Sequence, residues 1–138
     1  MLFADAPDAP QHPAAPAGAA AALPLLDAEK LDAYRLAVEF VALAAQLAPR
    51  RGFAALRDQL DRASTSIALN VAEGAGRVSP LDKARFYVIA RGSAMECGAI
   101  LDVLLARGLV SSAAHGRART IVVRLVQMLT KLNASMLR

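Results

Sequence analysis

Four basic residues near the carboxyl end of the chain have the type and spacing of a phosphate-binding surface. They recur every seven residues, which is close to two helical turns and places them on one side of a helix: Arg117, Arg124, Lys131 and Arg138. Arg119 adds a fifth cation, and no Asp or Glu follows Ser111. Cations without local counter-ions, at intervals of about 10 Å along a helix, favour contact with a nucleic-acid backbone. The alternative is a solvated face whose cations interact favourably with the helix dipole.

The segment NVAEGAGR, residues 70–77, is a second candidate for anion binding because it leads into a new helix start. Unpaired N–H groups at a helix start attract anions, and Arg77, Lys83 and Arg85 lie nearby in sequence. The segment is not a P-loop, since no strand precedes it and no Gly-Lys-Ser follows it. Its glycines are equally consistent with a simple break between two helices, and Asn70 with a hydrogen-bonded group that fixes register.

The remaining reactive residue types do not combine into a catalytic or metal site. Cys97 is the one cysteine, and His12 and His115 are the two histidines, which excludes a disulfide framework and leaves too few ligands for a metal cage. Cys97 is interpreted as a small buried residue. No nucleophile–base pair can be assembled within one chain, although residues from different subunits could still converge. We therefore expect a protein that is not an enzyme and binds no metal or cofactor.

Composition indicates one domain with a distinct leader. The chain has 138 residues, of which 56% are hydrophobic, 4% are aromatic and none is Trp, which excludes disorder of the whole chain and disfavours a pocket walled by rings. Residues 1–26 contain five of the seven prolines and no Lys or Arg, so they are predicted to be a flexible Ala/Pro-rich leader, not a secretory signal. Residues 27–138 carry 16 basic and 10 acidic groups, a net charge of +6 against +4 for the whole chain, which favours an anionic partner. No stretch is suited to span a bilayer, and a cytoplasmic location is expected.

Beyond the leader, apolar residues recur with a helical period and predict four helices, without a competing strand pattern. The helices are predicted to begin at Asp27, near Phe53, after Ser79 and at Ser111 or Ser112. Their short connections predict an antiparallel up-and-down four-helix bundle over residues 27–138. The predicted helix ends coincide with breaking residues: Pro49 and Gly52, Gly74 and Gly76, and Gly108.

The first helix is apolar on two sides, and the third contains a run of small residues. One row of the first helix is Leu31, Tyr34, Val38, Val41 and Ala45, and the other is Leu36, Phe40, Leu43 and Leu47. A helix with two apolar rows needs two partners, which are either another subunit or two neighbours in its own bundle. The small residues Gly92, Ser93 and Ala94 allow another helix to approach closely.

The turn between the second and third helices predicts three ion pairs. If the chain folds back about a point between Gly76 and Arg77, three opposite charges fall side by side: Arg57 with Glu96, Asp61 with Arg91, and Arg51 with Asp102. Each exposed pair would contribute about 0 to 1 kcal/mol, so its role would be to set register.

Two runs of sequence resemble a known bacterial family. RASTSIALNVAEGAGR (residues 62–77) and ARFYVIARGSAMECGAILD (residues 84–102) contain the patterns N-x-A-E-G-x-G-R and A-R-G-S-x-x-E. They resemble the four-helix-bundle proteins first noticed as products of intervening sequences in 23S ribosomal RNA genes. The related accessory variability determinant of diversity-generating retroelements is similar too.

The resemblance implies more than the residues alone do. It implies a bundle assembled as a ring-like homopentamer, and the retroelement branch implies binding of nucleic acid and of a reverse transcriptase. Fivefold symmetry would repeat the four cations at seven-residue spacing around a ring. We therefore expect a non-enzymatic accessory protein that contacts RNA or DNA phosphates through Arg117, Arg124 and Lys131, with Arg138, Arg119 and Arg77 as further contacts. The alternative is a scaffold for another protein, with no direct role in nucleic-acid binding.

Overall fold

The structure, a computed structural model, describes residues 24–138 as an antiparallel bundle of four helices. A 3-10 turn at Asp27–Lys30 precedes the helices, which follow in chain order: α1 (Asp32–Leu47), α2 (Ala54–Gly76), α3 (Pro80–Ala106) and α4 (Ser112–Met136). Each helix packs against its chain neighbours, and α4 closes the bundle by packing against α1. No strand occurs within the described part of the chain. The predicted up-and-down four-helix bundle is therefore confirmed, while residues 1–23 of the predicted leader lie outside the described residues.

Helix starts follow local capping chemistry in two of four cases. The hydroxyl of Ser79 accepts a hydrogen bond from Asp82 N (3.5 Å), and that of Ser111 accepts one from Ala114 N (3.1 Å), as expected for N-cap serines. The prediction that Asp27 caps the first helix is wrong. Asp27 opens the 3-10 turn and pairs with Lys30, and the helix itself begins after an extended residue.

Helix ends depart from the sequence prediction at the glycines of α2. Gly108 has φ 71° and ends α3 as predicted. In contrast, α2 continues through Gly74 and stops after Gly76. Gly74 is buried there, and a Cβ on it would lie 2.8 Å from Cε1 of Tyr87. Close approach of α3, and not helix termination, explains this glycine.

The core is built from large side chains interleaved with alanines. The largest fully buried apolar side chains come from all four helices: Phe40, Leu60, Ile67, Leu101, Leu104, Leu125 and Leu129. On α1, Leu36 and Phe40 enter the core, and Leu31, Tyr34 and Val41 of the other row pack against it. Most of that second row thus contacts neighbours within the same bundle, while Val38 and Ala45 stay exposed. None of the described helices combines the length and apolar character needed to cross a bilayer.

The three predicted ion pairs between α2 and α3 are wrong. The turn comprises residues 77–79, later than assumed, because α2 runs on through both glycines. Ser66 Oγ therefore lies 2.8 Å from Ser93 Oγ, which fixes a different pairing. The charged groups find other partners: Arg57 donates to Pro49 O (3.3 Å), Gln59 donates to Glu96 (3.3 Å), Arg91 donates to Thr130 Oγ1 (2.8 Å), and Asp102 binds His115 (2.8 Å).

Candidate nucleic-acid interface

The carboxyl-terminal helix presents a row of exposed cations, which we call the basic row: Arg117, Arg124 and Lys131. A seven-residue spacing on a straight helix drifts by about 20° per repeat, so the three side chains stay on one side. That side lies away from the buried residues Ala118, Leu125 and Leu129. The four ion pairs found among residues 24–138 involve none of the row. Arg138 follows the end of α4 and is also exposed.

Acidic residues of α1 lie beside two members of the row. Arg124 lines a shallow depression with Asp32 and Glu39, and Lys131 lines another with Asp32. Although α4 itself carries no acidic residue, acidic residues of α1 lie across the groove from it. These carboxylates lower the local positive potential, and Arg117 is the member of the row that does not line either depression.

Arg119 does not join the basic row. Two residues along a helix rotate the side chain by about 200°, which carries Arg119 to the opposite edge of α4. There it lines a groove with Met95 and Asp102 of α3. The prediction that Arg119 adds to the row rested on its closeness to Arg117 in sequence. The rotation between the two residues along the helix separates them.

Arg77 is engaged by its own neighbours. Its guanidinium donates to Glu73 (2.6 Å) and lies 4.8 Å from the centroid of the Phe86 ring. The turn that carries it lies at the opposite end of the bundle from Arg117, because α2 and α4 both run toward that end. Arg77 and the amino-terminal part of the basic row are thus not brought together.

The rest of the segment at residues 70–77 has structural contacts. Asn70 Nδ2 donates to Ser66 O (2.8 Å) and to Ser66 Oγ (3.0 Å). Lys83 Nζ donates to Gly74 O (3.3 Å) and Ala75 O (2.7 Å) at the end of α2. The Lys83 bonds satisfy carbonyls at the end of α2, and together with the packing of Gly74 they give this segment a structural role.

The loop end of the bundle gathers cations that the sequence interpretation missed. We call loop end the connections at residues 48–53 and 107–111, where α1 and α3 finish and α2 and α4 begin. The arginines that lie there or in the adjoining helical turns are far apart in sequence: Arg50, Arg51, Arg57, Arg107 and Arg117. None of them is in the four ion pairs of the described chain. The predicted up-and-down topology places both of these loops at one end of the bundle.

The one cysteine and the described histidine lie in separate environments. Cys97 is fully buried in the core, where burial, with a smaller effect of the Glu96 carboxylate, raises the pKa of its thiol to about 12. A thiol with such a pKa stays protonated near neutral pH and is a poor nucleophile. His115 Nε2 lies 2.8 Å from Asp102 Oδ1 and links the start of α4 to the last turns of α3.

These features define a small four-helix-bundle protein with a basic outer face on its last helix. Within that class, the family model of the 23S rRNA-intervening sequence protein matches residues 29–131, and the chain belongs to this family. The matched region begins within the 3-10 turn and continues through most of α4, up to Lys131. The resemblance noted in the sequence is thereby confirmed, whereas the relation to accessory variability determinants stays a prediction. No curated protein matches the chain.

Proposed function

We propose that this chain is a non-enzymatic, homopentameric accessory protein that binds RNA or DNA through its phosphates. It would act in the cytoplasm and need no cofactor. The observation that carries the proposal is the basic row, whose three cations are exposed and outside every ion pair of the described chain. Arginine and lysine contacts to phosphate position a nucleic acid without reading its bases, so sequence preference would be weak.

The name of the family supports this choice of partner. It associates the family with intervening sequences of 23S rRNA, and a polyanion such as RNA suits a surface of exposed cations. Arg117 contributes most in this proposal, because Arg124 and Lys131 lie beside Asp32 and Glu39. A ring of subunits would repeat the cationic row and strengthen the field of each chain.

The outer side of α3 supports an oligomer. Its inner side enters the core, yet its outer side also carries small or apolar exposed residues at helical spacing: Val88, Gly92, Met95, Ala99 and Val103. A helix that is apolar on both sides favours a second packing partner. Another copy of the chain would cover this outer side in a pentamer, which moves the proposed subunit contact from α1 to α3.

The second candidate function is a scaffold for another protein. The exposed apolar side of α3 supports it as well, because a different protein could cover that surface. The resemblance to accessory variability determinants suggests a reverse transcriptase as such a partner. A pull-down after nuclease treatment separates the candidates. A partner retained without nucleic acid, together with purified protein that ignores RNA and DNA, would favour the scaffold.

The decisive experiment is a binding titration with structured RNA and duplex DNA at several salt concentrations. The Arg117→Glu/Arg124→Glu/Lys131→Glu variant should lose at least tenfold in affinity, and its salt dependence should become shallower by roughly 0.7 to 0.9 per lost phosphate contact. A charge-matched control is Lys30→Glu/Arg35→Glu/Arg62→Glu, which changes exposed cations outside α3, the loop end and the basic row. Light scattering should show unchanged assembly for each variant. Equal losses in both variants would remove the basic row from the proposal.

A further inference from the structure

The loop end of the bundle exposes an aromatic side chain among arginines. Phe53, at the end of the α1–α2 loop, is 45% exposed. Of the other aromatic side chains among residues 24–138, Phe40 and Tyr87 are buried and Tyr34 and Phe86 are half-buried. Phe53 is therefore the one exposed aromatic in the described part of the chain. The exposed part of this ring gains no hydrophobic stabilisation when the chain folds, so packing in the core does not account for its position.

The backbone holds Phe53 in a conformation that bulky residues rarely adopt. Gly52 has φ 65° and Phe53 has φ 50°, so two consecutive residues are left-handed. Such a conformation is common for glycine and unusual for phenylalanine. Arg57 braces the turn from the following helix, with its N–H donating to Phe53 O (3.1 Å) and its side chain donating to Pro49 O (3.3 Å). The backbone that carries the ring is therefore held in place by the following helix.

One arginine lies close to this ring, and two more belong to the same loop as Phe53. The guanidinium of Arg107, at the end of α3, lies 5.6 Å from the centroid of the Phe53 ring. Arg50 and Arg51 directly precede the glycine of the same loop and are exposed. None of the three is in an ion pair of the described chain. An exposed aromatic ring beside one guanidinium, with two more arginines in the same loop, combines a stacking surface with phosphate-binding charges.

We infer that Phe53 is a stacking platform for an unpaired base of a single-stranded nucleic acid, with Arg50, Arg51 and Arg107 binding the flanking phosphates. This inference rests on the proposed function and specifies the form of nucleic acid that the protein prefers. A duplex keeps its bases stacked inside and offers the ring no face, whereas a loop, bulge or free end does. The basic row then binds phosphates of any nucleic acid, and the loop end selects unpaired segments.

The absence of tryptophan from the chain provides a direct test. In the Phe53→Trp variant the single indole reports stacking, and a short single-stranded oligonucleotide, as RNA or as DNA, should quench its fluorescence. The matched control is Leu69→Trp, an exposed position in the middle of α2, which should not be quenched. RNA and DNA arms show whether the sugar matters. Quenching of both variants to the same extent would overturn the inference.

A second variant measures the contribution of the ring to affinity. Phe53→Leu keeps an apolar side chain but removes the stacking surface, and it should weaken binding of single strands about tenfold, the order expected for one stacked base. Its affinity for duplex DNA should stay within twofold of wild type. Unchanged binding of single strands by this variant would overturn the stacking role while leaving the basic row untouched. Failure of wild type to bind either form would instead reject the proposed function, and circular dichroism confirms that each variant folds.

Discussion

Gly74 of α2 lies against the ring of Tyr87 in α3, so closely that a Cβ on Gly74 would stand 2.8 Å from Cε1. Cβ of Phe86 would be 3.1 Å away as well. Tyr87 is buried with 2% of its surface exposed, so its ring has little room to move. The space between the two helices at this position therefore fits a hydrogen atom but not a methyl group.

Replacing this glycine should therefore destabilise the bundle. Gly74→Ala gains up to about 1 kcal/mol of helix propensity, but the added methyl group forces the ring or the helix to shift, at about 1 to 3 kcal/mol. We expect a net loss of about 1 to 2 kcal/mol in the free energy of unfolding, measured by urea denaturation. Gly116→Ala, within α4, is the matched control because a Cβ there meets nothing within 4 Å. It should raise stability by about 0.5 to 1 kcal/mol. A stabilising Gly74→Ala would contradict the close approach.

The start of α4 depends on one of two adjacent serines. Ser111 Oγ accepts a hydrogen bond from Ala114 N at 3.1 Å, whereas Ser112 is the first helical residue and is not the cap. Ser111→Ala should lower the thermal midpoint, with a loss of about 1 kcal/mol. Ser112→Ala should stay within about 0.5 kcal/mol of wild type. Equal effects of the two substitutions would show that the hydroxyl of Ser111 does not act as a cap.

Local chemistry explains which parts of this fold were predictable. The caps at Ser79 and Ser111 and the left-handed Gly108 depend on a few neighbouring residues, so the sequence specifies them. The pairing of α2 with α3 depends on where the turn lies. Because α2 passes through Gly74 without ending, the turn moves and every assumed charge pair is lost. A packing contact, invisible in a single helix, decided the register.

The candidate site also has a part that the sequence predicts and a part that depends on tertiary structure. Exposure of Arg117, Arg124 and Lys131 on one side of α4 follows from helical spacing and is found in the structure. The acids that lie beside two of them come from α1, and the arginines at the loop end come from the α1–α2 loop and other elements. Charges from different elements can be predicted to lie together only after the topology of the bundle is known. An up-and-down topology places the α1–α2 and α3–α4 loops at the same end of the bundle.

The proposed subunit contact can be tested on the outer side of α3. Met95 is 54% exposed and lines an apolar groove with Val123 of α4, which is 40% exposed. If another copy of the chain covers this groove, Met95→Glu places a charge in the contact and should dissociate the oligomer. Light scattering should give five times the 14.5-kDa chain mass for wild type and a smaller species for the variant.

The control for the subunit contact is a glutamate outside any groove. Val78→Glu introduces the same charge in the α2–α3 turn, where the side chain is almost fully exposed, and it should leave the mass unchanged. A wild-type monomer at micromolar concentration would reject the oligomer. A pentamer that survives Met95→Glu would place the contact on a different surface.

Cys97 should make the bundle less stable in alkaline solution. Burial, with a smaller contribution from Glu96, raises the pKa of its thiol from 9.0 to about 12. Below pH 9 the thiol is protonated in both the folded and the unfolded chain, so it contributes no pH dependence there. Between pH 9 and 12 the unfolded chain has lost this proton and the folded chain keeps it. Unfolding then releases a proton, and the free energy of unfolding falls by up to about 1.4 kcal/mol per pH unit.

Urea denaturation under reducing conditions from pH 7 to 11 measures this effect. Cys97→Ala is less stable at neutral pH because it leaves a small cavity, but it lacks the thiol and should lose stability more slowly above pH 9. Burial also raises the pKa of Tyr87, which acts in the same direction above pH 10 and does so in both proteins. The difference between the two stability curves therefore isolates the thiol. The thiol of the unfolded chain ionises only above its ordinary pKa, so the two stability curves should run parallel below pH 8 and converge beyond pH 9. Parallel curves up to pH 11 would show that Cys97 ionises in the folded protein as readily as in the unfolded chain.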